Sequence, residues 1–98
     1  MKREEIVSVL AVIKPELQAD GVAHLDVFGS QARGDASDGS DLDVLIEVTP
    51  SRKFSILDLV GVEHRVQAAT GIQANAFMRR SLDEEFLRSI SRDLIEVF

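Results

Sequence analysis

The stretch GSQARGDASDGSDLDVLIEV, residues 29–48, decides the fold because it joins a polar loop to an apolar strand. Three glycines and three serines over residues 29–40 predict a loop, with room for one helical turn over residues 30–33. Residues 41–48 alternate between polar and apolar types and predict a strand. Because side chains alternate across a strand, Asp41 and Asp43 leave the same face.

The residues on either side of this stretch predict one domain of helices and strands. Ser55 and Asp58 have the spacing of a capping box that opens a helix, and Ser81 and Glu84 form a second such pair. The predicted elements are a helix over 1–13, a short helix over 15–19, strands over 22–28 and 41–48, a helix over 55–70, a strand over 72–78, a helix beginning near 81 and an edge strand over 94–98. This order predicts a single α/β (α+β) domain over residues 1–98, with helices packed on one mixed sheet.

The composition excludes several classes of protein. The chain has 98 residues, enough for one core, and 45% of them are hydrophobic, which predicts a packed globule rather than a disordered tail. The net charge of −6 argues against a protein that tracks nucleic-acid backbone, so no direct contact with nucleic acid is expected. There is no cysteine, and no apolar run is long enough for a membrane span or a signal peptide. We therefore expect a soluble, cytoplasmic protein with no membrane partner.

The segment of residues 35–47 is strongly acidic, since it holds five acids and no base, and its Asp35 and Asp38 are typical of turns. At a rise of about 3.3 Å per residue, the α-carbons of Asp41 and Asp43 are expected about 6.6 Å apart on the predicted strand. Their carboxylates can therefore converge on one or two ions. Oxygen ligands of this kind suit Mg²⁺, which often shares its shell with a substrate phosphate. The sequence therefore predicts Asp41 and Asp43 as metal ligands.

The loop before these acids has the residue types of a phosphate site. Gly29 lets the backbone approach a ligand without a Cβ in the way. The hydroxyls of Ser30 and Ser40 can donate to phosphate oxygens, and the guanidinium of Arg33 carries a fork of donors suited to phosphate. A loop that favours phosphate, beside carboxylates that favour Mg²⁺, predicts a metal–nucleotide site.

The strings GSQARGD, residues 29–35, and SDLDVLI, residues 40–46, resemble the signature of the minimal nucleotidyltransferases of the DNA polymerase β superfamily. The resemblance implies a nucleotidyltransferase fold with a mixed, mostly antiparallel sheet. It implies that the Gly–Ser pair and the arginine of the first string hold the triphosphate of ATP, and that the two aspartates of the second hold two Mg²⁺ ions. The implied reaction transfers a nucleoside monophosphate from an NTP to an acceptor hydroxyl and releases pyrophosphate.

The resemblance also implies a partner protein. Family members of about this size are often antitoxins encoded beside a HEPN-domain RNase toxin, which some of them inactivate by adding AMP to a tyrosine. A HEPN toxin is thus the implied partner, ATP the substrate and Mg²⁺ the cofactor, with a homo-oligomer left open. This chain has no tyrosine, so a tyrosine acceptor must lie on another protein.

The resemblance breaks at the family's third carboxylate, which follows a glycine on a later strand. In GIQANAF, residues 71–77, the matching position is Asn75. An Asn side chain can coordinate a metal through its carbonyl oxygen, but it brings no charge and cannot act as a base. Asn75 is therefore either a weakened third metal ligand or an ordinary buried polar residue. Three other acids are candidates to replace the missing carboxylate, although no motif places them at the site: Asp58, Glu63 and Asp83.

Two functions are consistent with these residues. The first is Mg²⁺-dependent transfer of AMP from ATP to a hydroxyl of a partner protein, with Asp41 and Asp43 as the catalytic carboxylates. The second is a nucleotidyltransferase-fold binding module that neutralises a partner by contact alone, because the third carboxylate is missing. A weaker third hypothesis is a subunit that needs a second chain to complete its substrate site.

Overall fold

The structure is a computed structural model that describes residues 1–98. Helices and strands follow one another in the predicted order, with two short 3₁₀ turns over Arg79–Ser81 and Ser91–Asp93. The helices are α1 (Arg3–Val12), α2 (Lys14–Ala19), α3 (Ser30–Arg33), α4 (Ile56–Thr70) and α5 (Glu84–Ile90), and the strands are β1 (Val22–Phe28), β2 (Leu42–Val48), β3 (Ala74–Met78) and β4 (Ile95–Glu96). None of the helices combines the length and the apolar character that crossing a membrane requires.

The four strands form one sheet in the order β3-β2-β1-β4. β1 pairs antiparallel with both β2 and β4, whereas β2 pairs parallel with β3. This confirms the predicted α+β fold with a mixed, mostly antiparallel sheet. A parallel pair needs a long crossover, which α4 supplies, and the register of this pair puts Asp43 opposite Asn75.

One face of the sheet carries the main core, under α1, α2 and α4. Leu42, Val44 and Ile46 of β2 point to this face and are fully buried. Burying a side chain of this size contributes about 1.5–3 kcal/mol, so this core fixes the strands on which the site depends. The helices contribute the following buried residues to the same cluster: Ile6, Leu10, Leu17, Val62 and Val66.

The opposite face carries a smaller core under α5. Phe28, Leu45 and Ile90 form this second cluster, and the ring of Phe28 lies 5.5 Å from the ring of Phe77, centroid to centroid. Phe28 also pairs across the strands with Asp43. The smaller core therefore holds the ends of β1 and β2 directly beside the acids of the predicted site.

Of the two predicted capping boxes, one is confirmed and one is wrong. The Ser55 hydroxyl accepts from the Asp58 N–H at 3.2 Å, as predicted for the start of α4. Ser81 does not pair with Glu84, because Ser81 lies in a 3₁₀ turn and Asp83 caps α5 instead. Asp83 immediately precedes the first helical residue, where its carboxylate reaches an amide of the first turn at 2.8 Å.

β1 covers the predicted residues 22–28, whereas the other three strands are shorter than predicted, and β3 begins at Ala74 rather than at residue 72. β2 begins one residue late, so Asp41 is the last residue of the loop rather than the first of the strand. β4 covers only Ile95–Glu96 of the predicted residues 94–98, although the N–H of Val97 continues the pairing by donating to the Leu25 carbonyl at 2.9 Å. The edge position of β4 is as predicted.

Candidate functional site

Three polar side chains from neighbouring elements meet at one end of the sheet. Asp41 ends the loop before β2, Asp43 is on β2, and Asn75 lies opposite Asp43 on β3. The side-chain nitrogen of Asn75 donates to Asp41 Oδ2 at 3.0 Å and to Asp43 Oδ1 at 3.3 Å. The parallel register of β2 and β3 thus brings together the two predicted carboxylates and the predicted asparagine.

Burial raises the pKa of Asp43 above its ordinary value of 3.8. The hydrogen bond from Asn75 opposes this effect, and the neighbouring carboxylate of Asp41 adds to it. Attraction to Arg33 also lowers this pKa, but burial is the largest of the effects, so the charged form is less stable at Asp43 than at an exposed aspartate. A cation bound between the two acids would favour the charged form.

Gly29 brings the loop against the carboxylate of Asp43. Its φ of +78° lies in the region that favours glycine. A Cβ at this position would lie 2.6 Å from Asp43 Oδ2, closer than real Cβ contacts come. Asp43 therefore presents one carboxylate oxygen to Asn75 and the other to the start of the loop.

A single helical turn, α3, follows Gly29 and is closed by backbone hydrogen bonds. The Gly29 carbonyl accepts from the N–H groups of Ala32 and Arg33 at 3.1 and 3.0 Å. Gly34 ends the turn with a φ of +83°, and its N–H donates to the Ser30 carbonyl at 3.0 Å. The predicted phosphate donors Ser30 and Arg33 therefore lie at opposite ends of this turn.

The guanidinium of Arg33 is paired with two acids. Its Nε donates to Asp35 Oδ2 and its Nη1 donates to Asp93 Oδ2, both at 3.1 Å. These hydrogen bonds raise the pKa of Arg33 above its ordinary value. Asp93 belongs to the 3₁₀ turn before β4, so this contact ties the loop to the C-terminal segment.

Ser40 is held within the loop itself. Its hydroxyl accepts from the Ser37 N–H at 3.0 Å, and its carbonyl accepts from Gln31 Nε2 at 3.2 Å. Gln31 is buried, and its side chain spans the loop just before Asp41. The sequence pattern did not single out Gln31, and its place inside the GSQAR string was the only available signal.

The acids considered as replacements for a third carboxylate lie elsewhere. Asp58 caps α4 and Asp83 caps α5. The Glu63 carboxylate accepts from the N–H of Ala76 on β3 at 2.8 Å. No group of three or more acidic, histidine or cysteine side chains is arranged to hold a metal ion. The site therefore consists of two carboxylates and one amide.

This set of donors fits Mg²⁺. The ion needs only one or two protein carboxylates, because water and substrate phosphate complete its shell. Asp41 and Asp43 supply the carboxylates, and a half rotation of the Asn75 amide would turn its carbonyl oxygen toward them.

A polar cleft of about 660 Å³ opens beside the carboxylates. Arg33, Ser40 and Asp41 line it, together with residues of the N-terminus and of the connection between α4 and β3. Gly29 and Asp43 lie outside its lining. The predicted site is therefore divided between this cleft and the sheet face that carries Asp43.

Comparison with known proteins gives the family. Residues 10–97 match the family model described as a nucleotidyltransferase domain. Over 95 residues the chain is 33% identical to the protein adenylyltransferase MntA of Thermococcus cleftensis, and the match covers 96% of this chain and 94% of the relative.

Two solved structures share the fold. One is the crystal structure of a toxin–antitoxin with AMP-PNP, which matches with a TM-score of 0.71 and 14% identity over 92% of this chain and 72% of that chain. The other contains the tri-AMPylated HEPN toxin of Shewanella oneidensis in complex with the MNT antitoxin, and matches with a TM-score of 0.70 and 8% identity over 98% of this chain and 71% of that chain. These two matches show the shared fold. The family model and the 33% identical relative confirm the resemblance to the nucleotidyltransferases, and the chain belongs to the nucleotidyltransferase domain family.

Proposed function

We propose that the chain is an Mg²⁺-dependent nucleotidyltransferase that transfers AMP from ATP to a hydroxyl group of a partner protein. The observation that carries the proposal is the close approach of loop and carboxylate: a Cβ added at Gly29 would lie only 2.6 Å from Asp43 Oδ2. A loop suited to phosphate is thereby in direct contact with acids suited to Mg²⁺. The 33% identity to a protein adenylyltransferase supports the choice of reaction.

The proposed partner is a HEPN toxin, for which the chain would be the antitoxin. This is supported by the fold shared with a chain from the complex of a tri-AMPylated HEPN toxin and its MNT antitoxin. The toxin–antitoxin structure with AMP-PNP gives the same support. Since the chain has no tyrosine, a tyrosine acceptor would lie on the partner.

In this proposal Asp41 and Asp43 hold the metal ion, and the uncharged amide of Asn75 donates to both carboxylates on their β3 side. When bound, Mg²⁺ supplies positive charge that neutralises the phosphate oxygens. The two aspartates carry the charge that retains the ion, and burial of Asp43 keeps water away from that charge.

The loop holds the triphosphate through four residues. Gly29 keeps the space beside Asp43 free of a side chain, and the hydroxyls of Ser30 and Ser40 donate to phosphate oxygens. Arg33 offers its fork of donors to phosphate after exchanging one of its acidic partners for the ligand.

In the proposed reaction the acceptor hydroxyl oxygen attacks the α-phosphorus of ATP. A new O–P bond forms while the bond from the α-phosphorus to the bridging oxygen of the β-phosphate breaks, and pyrophosphate leaves. The hydroxyl proton passes to water, because the amide of Asn75 has no basic group to accept it. The main contribution of the protein is then to hold the two reactants in line.

Transfer of a labelled phosphate tests this proposal. The purified chain is incubated with ATP labelled at the α-phosphate, Mg²⁺ and lysate of its own source, with Asp43→Asn as the matched control. We expect label on one protein with the natural chain and none with the variant. Equal labelling by the two chains would contradict the role of Asp43.

Asn75 favours a second candidate function, a binding module that neutralises its partner by contact alone. Its amide adds neither charge nor base to the pair of carboxylates. This function predicts that Asp41→Asn still neutralises the toxin in cells, with growth as the readout. A variant that forms the complex on gel filtration but no longer neutralises would count against it.

A further inference from the structure

The carboxylates of the site have different neighbours on the side of the loop and on the side of β3. Asp43 Oδ2 faces the start of the loop, where no side chain stands between it and the backbone of Gly29. Asp43 Oδ1 faces β3 and accepts from Asn75 Nδ2 at 3.3 Å. Asp41 Oδ2 accepts from the same nitrogen at 3.0 Å, so one amide bridges both acids on the β3 side.

We infer that this site takes one divalent cation together with the nucleotide, on the loop side of the carboxylates, and that Asn75 keeps a second cation out. The inference rests on the proposed function, since it concerns the metal that accompanies ATP. It goes further by fixing the number of ions and by naming the residue that sets this number.

Asn75 acts against a second cation in two ways. Its amide nitrogen already places the positive end of a dipole between Asp41 and Asp43, where a cation on the β3 side would bind. If the amide rotates, it offers one neutral oxygen, whereas the charged oxygens of carboxylates bind Mg²⁺ more strongly.

An aspartate at position 75 would reverse both effects. It has no N–H to donate, so its carboxylate would lie about one hydrogen-bond length from those of Asp41 and Asp43 and would repel both. A second cation would relieve that repulsion. No other acid of the chain completes such a group of three, so the number of ions depends on this position.

Counting bound Mn²⁺ by electron paramagnetic resonance tests the inference directly. Mn²⁺ accepts the same oxygen ligands as Mg²⁺, and the signal of free Mn²⁺ gives the number bound per chain. With a saturating non-hydrolysable ATP analogue, we expect one Mn²⁺ per natural chain and two per Asn75→Asp chain. Gln67→Glu makes the same change of amide to carboxylate on the exposed side of α4, and should bind one.

The possible outcomes separate this inference from the proposed function. Two Mn²⁺ per natural chain would overturn the inference and leave the proposed function standing. One Mn²⁺ in Asn75→Asp would show that Asn75 does not set the number. Failure of the natural chain to bind the analogue at all would count against the proposed function itself. If Asn75→Asp does not fold, the natural chain decides, because a second ion would give magnetic coupling between two manganese centres.

Discussion

The candidate site has a carboxylate half and a loop half. In both halves the polar side chains already bind other side chains of the protein, but the two halves differ in solvent exposure. In the carboxylate half, Asn75 donates to the half-buried Asp43 and to Asp41, and hydrogen bonds to charged groups contribute about 1.5–3 kcal/mol. In the loop half, the side chains of Arg33 and Asp35 are 46% and 61% exposed, and exposed ion pairs contribute little. We therefore expect a ligand to replace the loop contacts easily while the carboxylate half keeps its arrangement.

The strongest test of the carboxylate half is Asp43→Asn. We expect AMP transfer to fall by more than about 100-fold, because changing even a residue behind a metal ligand costs about 10–100-fold. Label transfer measures the loss. Thermal unfolding serves as the control, since the variant removes a charge that burial disfavours and should unfold no lower than the natural chain. A lower midpoint would mean that the loss of activity reports unfolding.

Gly29→Ala tests the contact that joins the two halves. Strain at a positive φ costs about 1–3 kcal/mol, and each kcal/mol lowers the unfolding midpoint by about 4–8 °C in a domain of this size. Gly34→Ala is the comparison variant, because Gly34 also has a positive φ, +83°, but no atom within 4 Å of the added Cβ. Gly34 is in the left-handed helical conformation, whereas the ψ of −158° at Gly29 belongs to a region restricted to glycine, so backbone strain adds to the contact with Asp43. We expect the larger fall for Gly29→Ala. Equal falls would mean that the approach to Asp43 adds nothing.

The pH dependence of the free energy of unfolding is a second test of the carboxylate half. The folded pKa of Asp43 lies above its ordinary value of 3.8, so the folded protein binds this proton more tightly than the unfolded chain. The resulting stabilisation is present below pH 3.8 and is lost as the pH rises through the folded pKa. The natural chain should therefore lose stability relative to Asp43→Asn over this window. Urea unfolding at a series of pH values measures the difference, and a constant difference would contradict the prediction.

We expect the smallest effect, a change in nucleotide affinity, from a variant of the loop half. Asp93→Asn removes the charge that faces Nη1 of Arg33 and should tighten nucleotide binding by about two- to fivefold, as expected for loss of an ion pair at the surface. Titration with a fluorescent ATP analogue measures the change. Asp38→Asn removes the same charge from the loop without breaking an ion pair to Arg33, and controls for general electrostatics. Weaker binding by Asp93→Asn would instead mean that Asp93 holds Arg33 in place for phosphate.

The local parts of the fold could be predicted because short-range spacing determines them. The alternation of residues 41–48 gave the strand, and the Ser55–Asp58 spacing gave the start of α4. The start of α5 was predicted wrongly, because Ser81 and Asp83 are both good capping residues and only the intervening turn decides between them. The roles of the predicted phosphate and metal ligands stay predictions.

The contacts between distant residues could not be predicted from spacing. The match of Asn75 to the family's third acid placed it at the site, but its bridge between two carboxylates depends on the parallel register of β2 and β3. The pair of Arg33 and Asp93 joins an exposed residue to a partly buried one 60 positions later, and no local spacing relates the two. Gln31 was missed for the same reason, since a buried amide leaves no periodic signal.

The hydrogen bond between Glu63 and β3 bears on how copies of the molecule associate at high concentration. β3 is an edge of the sheet, and an exposed edge is a template for strands of other molecules. The Glu63 carboxylate, reaching over from α4, occupies the N–H of Ala76 that an incoming strand would use. A charged group on that edge also repels further copies of this acidic chain. We therefore expect the β3 edge to resist pairing with strands of other copies, which leaves β4 as the edge open to an added strand.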